Sequence, residues 1–218
     1  MDKLEHLAVT TGPSPAASVI WLHGLGADGR DFEPIVPQLG LPSSPAVRFL
    51  FPHAPVRPVT INGGMPMRAW YDFRSLEIGR GEDPGHIEAS VQAVSNLIDG
   101  ERERGIAAGH ICLAGFSQGG VVALAAGLAY PERLAGVLAL SCYLPAGALP
   151  EGPADWPPVF MAHGTEDPVI PIGHGRLTAE RLRHAGVEVE WHEYPIPHGV
   201  APEEIEAIGR WLGRTLSA

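Results

Sequence analysis

A chain of 218 residues is long enough for one α/β domain to bury roughly 70% of the surface its unfolded form would expose, so a single domain over residues 1–218 is expected. Hydrophobic residues make up 45% and charged residues 18%, which excludes a disordered or low-complexity chain. The formal charge of −10 comes with no basic cluster, so neither nucleic acid nor an anionic lipid surface is an expected partner.

The opening MDKLEHLAVT scatters charges through its apolar residues and does not read as a signal peptide. No later apolar run is long enough to cross a bilayer, so stable membrane insertion is not expected. Short apolar runs then recur at 18–22 (SVIWL), 47–51 (VRFLF), 110–114 (HICLA), 136–141 (GVLALS) and 159–162 (VFMA). Near-continuous runs of this kind predict strands covered on both faces. Residues 188–194 (EVEWHEY) alternate instead, which predicts a strand nearer the sheet edge. Helical spacing separates these runs at 85–104, 118–130, 173–185 and 202–216. In the first of these, Ile87, Val91, Val94, Leu97 and Ile98 form one apolar stripe. Pro202, Glu203 and Glu204 suit the start of the last. Strands alternating with helices predict a mostly parallel central sheet with helices on both faces.

Two stretches lack periodicity. Residues 52–84 are rich in Pro and Gly and carry Met65, Met67, Trp70, Tyr71, Phe73 and Leu76, as a lid or binding loop would. Residues 143–158 read as a surface excursion. Cys112 and Cys142 lie in or beside apolar runs, where buried reduced thiols are expected. A cytoplasmic location is expected on that ground. No histidine shows zinc-type spacing with a second ligand, so no metal is expected.

Gly115, Phe116, Ser117, Gln118 and Gly119 spell G-x-S-x-G between the run HICLA and an Ala-rich helical stretch. A serine on a tight turn from strand to helix has its hydroxyl lifted out as a nucleophile. The helix that follows offers unpaired N–H groups and a positive dipole end, so the Gln118 N–H can face a developing oxyanion. His23, Gly24, Leu25 and Gly26 follow the run SVIWL and so stand on the same sheet edge. The second oxyanion donor is assigned to the Leu25 N–H there.

The acid must follow Ser117 and end a strand. Asp167 in HGTEDPVIP fits, with Glu166 as its neighbouring alternative, whereas Asp155 precedes the strand. The base is expected last, and His198 in YPIPHGV stands after the final strand. An ordinary imidazole, with a pKa of about 6.5, accepts the serine proton at neutral pH. His23 precedes the serine and so falls outside the order serine, acid, histidine. His192 lies within a strand and His174 and His184 on a surface helix, where solvated or packed roles are expected.

These residues sit among VIWLHGLGADGRDF, FPHAP, MRAWYDF, GFSQGG, LSCYLP, HGTEDPVIP and PHGVAPEEI. In that order they resemble the α/β-hydrolase carboxylesterase and phospholipase family, which includes the acyl-protein thioesterases and small bacterial carboxylesterases. The resemblance runs nearly end to end and implies an α/β-hydrolase fold, in which a chain of 218 residues is expected to leave little room for a large cap domain. It implies Ser117, Asp167 and His198 as the triad and the N–H groups of Leu25 and Gln118 as oxyanion hole. It also implies that the loop around Trp70, with Leu76 downstream, walls the acyl site, with hydrophobic packing beneath a loop as the other reading of Trp70. Two departures are Cys142 after Ser141, where the family often has glycine, and Ile196 and Pro197 before His198, where Met-Gly is common.

The expected activity is that of a serine carboxylesterase acting on short- to medium-chain acyl esters through an acyl-enzyme on Ser117. A lysophospholipase, an acyl-protein thioesterase and an inactive hydrolase-fold binding protein are the alternatives. No cofactor is expected, and the partner is a small-molecule ester. A homodimer contact through the long loop or the last helix is left open.

Overall fold

The computed structural model describes residues 4–75, 77–145, 147–149 and 155–217. Nine strands are described: β1 (His6–Thr10), β2 (Pro15–Leu22), β3 (Ala46–Pro52), β4 (Val56–Val59), β5 (Met65–Arg68), β6 (Ile111–Phe116), β7 (Gly136–Leu140), β8 (Val159–Gly164) and β9 (Val189–Tyr194). Seven of them form one sheet in the order β1-β3-β2-β6-β7-β8-β9. Only β1 runs antiparallel, against β3; every other neighbour in this sheet is parallel. Strand β9 lies at an edge, where its alternating sequence is at home.

Successive side chains of a strand point to opposite faces, and the core divides accordingly. Ile20 and Leu22 of β2 pack on one side and Val19 and Trp21 on the other. The first side is covered by α1 (Pro84–Glu103), α2 (Gln118–Ala129) and α3 (Ile172–His184), the second by α4 (Pro202–Thr215) and the 3-10 helix Glu33–Leu39. Helix α2 is buried on nearly every side, as its uninterrupted small and apolar residues require. Asp83 caps α1, its side chain accepting from the His86 N–H at 3.0 Å, and Pro84 opens the helix. Among the described residues no helix is long and apolar enough to cross a membrane. Cys112 and Cys142 are both free and buried, and burial pushes both thiols up.

Two elements depart from the sequence expectation. Strand β1 was not expected; it is short and only partly buried, so its apolar signal is weak. The aperiodic stretch 52–84 contains an antiparallel ribbon of β4 and β5, paired from Val56↔Arg68 to Val59↔Met65. Pro58 and Pro66 face each other in it, and a ribbon of two edges tolerates prolines that a central strand does not.

Candidate active site

The loops at the carboxyl ends of β2, β6, β8 and β9 meet around one cavity of about 390 Å³. Ser117 directly follows β6 and caps α2 with φ 54° and ψ −120°, a conformation that non-glycine residues rarely hold and that marks a strained functional turn. Its N–H donates to Leu140 O at 2.9 Å, fixing the turn to β7. A Cβ on Gly119 would stand 2.5 Å from the carbonyl oxygens of Leu22 and His23. Glycine there lets the start of α2 lie directly against the end of β2.

His198 and Ser117 both line the cavity. His198 Nδ1 is 2.7 Å from Asp167 Oδ2, and the Asp167 side chain is fully buried. The other Asp167 oxygen accepts from the N–H groups of Val169 and Ile170 at 2.8 and 2.9 Å. The carboxylate is thus held at both oxygens, leaving one orientation for the His198 ring. Among the described residues no hydrogen bond joins Ser117 Oγ to His198, the loose arrangement common before substrate enters. Glu166, the alternative acid, is exposed, and Asp155 pairs with Arg133 at 2.5 Å. His192 is bound to Glu190 at 2.9 Å.

Leu25 and Gln118 line the same cavity. Gln118 is the first residue of α2, so its N–H has no partner within the helix. Among the described residues the Leu25 N–H makes no hydrogen bond, whereas those of Gly26 and Ala27 are bound to Arg68 O and Gly24 O. Two residues with unpartnered N–H groups among the described residues thus line the same cavity as Ser117, the composition an oxyanion site requires.

Trp70 does not line the cavity. It is 0% exposed, and its indole N–H donates to His23 O at 2.9 Å. The wall is built instead by Tyr71, Phe73, Ile78, Phe116, Tyr143 and Ile170, so Trp70 supports the wall from behind through its amphipathic ring. Leu76 lies outside the described residues.

Three further residues organise the site. The Gln118 side chain accepts from the Trp70 N–H and donates to Tyr71 O, both at 2.7 Å, clasping the wall to the nucleophile helix. His23 Nε2 accepts from the Ala54 N–H at 3.0 Å while Nδ1 lies 2.7 Å from Gly24 O. This fixes the Nδ1–H tautomer and shapes the loop carrying Leu25; burial lowers the His23 pKa. His163 donates from Nε2 to Ile170 O at 2.8 Å and lies 3.4 Å from Asp167 Oδ2, and burial lowers its pKa too. The shared signal for both histidines is a His-Gly pair closing a buried strand, His23-Gly24 after β2 and His163-Gly164 in β8. Among the described residues no group of three or more His, Cys, Asp or Glu side chains could hold a metal ion.

Known proteins resemble this chain over almost all of its length. Acyl-protein thioesterase 1 of Gibberella zeae is 37% identical over 213 residues, 92% of this chain and 91% of the relative. Acyl-protein thioesterase 1 of Mycosarcoma maydis is 35% identical over 239 aligned residues and all of both chains. The crystal structure of Arabidopsis thaliana SOBER1 superposes with a TM-score of 0.82 at 31% identity, covering 92% of this chain and 99% of that one. The family model described as phospholipase/carboxylesterase matches residues 4–216, and with the sheet order and the strained serine in accord, the chain belongs to that family and is a serine hydrolase of the α/β-hydrolase fold.

Proposed function

We propose that this enzyme cleaves acyl thioesters, and acyl esters alongside them, in the manner of an acyl-protein thioesterase. The observation that carries this reading is the apolar cavity of about 390 Å³ opening directly onto Ser117, His198, Leu25 and Gln118. Relatives named as acyl-protein thioesterases, similar over nearly the whole chain, favour it over the short- to medium-chain carboxylesterase expected from the sequence.

In the mechanism Ser117 Oγ attacks the acyl carbonyl as His198 Nε2 takes its proton. Asp167 holds the ring and stabilises the imidazolium. The N–H groups of Leu25 and Gln118 receive the oxyanion, where loss of one donor of this kind costs about 3–4 kcal/mol of transition-state stabilisation. Collapse expels the thiolate or alkoxide, which takes the proton from His198. Water then enters, loses a proton to His198 and releases the acid from Ser117. A cytoplasmic site of action, where two buried thiols stay reduced, belongs to the same reading.

The test is release of free thiol from an S-palmitoylated cysteine peptide, with p-nitrophenyl butyrate as the ester control. Turnover of the thioester is expected, and Ser117→Ala is expected to reduce it by at least about a thousandfold. Ester turnover without thioester turnover would return the assignment to a carboxylesterase. No turnover of either would overturn both readings of the substrate.

A further inference from the structure

The wall of the cavity is mostly apolar; Asp31, Ser75 and Glu82 are acidic or hydroxyl residues of the lining that the proposed chemistry does not use, and of these Asp31 and Ser75 are exposed at the surface whereas Glu82 is not. Glu82 lines the cavity together with Tyr71, Phe73, Ile78 and Tyr143. It is half-buried and stands two residues before α1, on an element that carries none of the reacting groups. One carboxylate oxygen accepts from the Tyr143 hydroxyl and from the Gly79 N–H at 2.8 Å. The Tyr71 hydroxyl stands beside that of Tyr143, so the polar pair of Glu82 and Tyr143 is set into the wall next to it.

Glu82 and Tyr143 are each fixed from outside the cavity. Residues 72–74 and 81–83 are joined as an antiparallel pair, with Phe73 opposite Glu82 and bonds of 2.8 Å from the Arg74 N–H to Gly81 O and from the Asp83 N–H to Asp72 O. Next to Tyr143, the Leu144 N–H donates to Thr178 Oγ1 at 2.9 Å and Leu144 O accepts from Arg181 at 3.0 Å. Both side chains are therefore tied to rigid elements, α1 on one side and α3 on the other.

We propose that Glu82 is a specificity-determining residue, its carboxylate held in the apolar wall by Tyr143 and Gly79 so as to limit the length of acyl chain the site accepts. Each methylene laid against Phe73, Ile78 or Ile170 leaves water and strengthens binding. A chain long enough to meet Glu82 strips water from a carboxylate and offers it no hydrogen bond in return. The gain per methylene ends there, and binding favours chains that stop short. This inference rests on the reading that the cavity receives the acyl chain.

The experiment compares kcat/KM on p-nitrophenyl butyrate, octanoate, laurate and palmitate for the wild type, Glu82→Ala, Glu82→Met and Glu82→Gln. Glu82→Ala is expected to raise the palmitate-to-butyrate ratio by about tenfold, equivalent to the burial of about two further methylenes, with the change in KM for palmitate. Glu82→Met carries the same expectation should the alanine variant fold poorly. Glu82→Gln keeps a polar acceptor in the wall and is expected to hold the wild-type ratio within about twofold. An unchanged ratio in active Ala or Met variants overturns the proposal, as does an equal loss on all four esters. No turnover by the wild type at any chain length would instead sink the underlying reading of the cavity.

Discussion

The ring of Phe116 lies 4.7 Å from that of His198, centroid to centroid. Phe32 backs Phe116 at 5.7 Å, and Trp21 backs Phe32 at 5.2 Å, so the histidine leans on an aromatic column rooted in the core. Such pairs contribute about 0.5–1.5 kcal/mol beyond their burial. Phe116→Ala is therefore expected to lower kcat by about two- to tenfold with KM nearly unchanged. A rise in KM at constant kcat would show Phe116 serving substrate binding alone. At this scale the contact of His198 with Asp167 and the place of Ser117 and His198 on one cavity agree with the proposed triad, which can be picked from the sequence because each role demands a residue type, a strand end and a place in chain order. Trp70 is not legible, because a loop sequence does not say whether an aromatic ring faces a cavity or underlies its wall. The Gln118 clasp is invisible for a related reason: its partners, Trp70 and Tyr71, lie 48 and 47 residues away, and only the closed fold brings them near.

The turn from β6 into α2 works only if α2 can approach β2. Gly119→Ala places a methyl group 2.5 Å from two carbonyl oxygens of that strand end, and overpacking of this kind costs about 1–3 kcal/mol. A lowered melting temperature is expected, with a loss of kcat larger than that of Phe116→Ala, because the shift separates the Gln118 N–H on α2 from the Leu25 N–H beyond β2. Wild-type kcat in a destabilised variant would mean the two donors move together. The central strands are legible as elements because burial on both faces forces long apolar runs. Strand β1 and the β4–β5 ribbon escape notice because neither is buried on both faces, and Pro58 and Pro66 disguise the ribbon as a loop.

Across the whole molecule, the two-faced core follows from strand alternation alone, whereas one cost of that burial is seen only in the folded protein. Glu204, in the first turn of α4, is 1% exposed. One of its oxygens accepts from the Ala201 N–H at 3.2 Å, and the other is buried without a partner. Burial raises its pKa from 4.5 to about 7. The native state thus holds a proton that the unfolded chain has released, so unfolding free energy falls as pH rises from 4.5 to about 7 and is level beyond. Glu204→Gln removes this dependence and is expected to stabilise the protein at pH 8 by an amount on the order of 3 kcal/mol at most, with little change at pH 4.5. Urea unfolding at the two pH values measures it; parallel curves would mean that Glu204 ionises normally. The clasp of Gln118 on Trp70 and Tyr71 carries its own consequence. The residue proposed to offer its N–H to the oxyanion also fastens the wall proposed to receive the acyl chain, so natural variants that reshape this wall by moving residues 70–71 are expected to gain new substrates only at the expense of rate. Wider specificity is expected instead from positions such as Glu82, whose side chain the clasp does not bind.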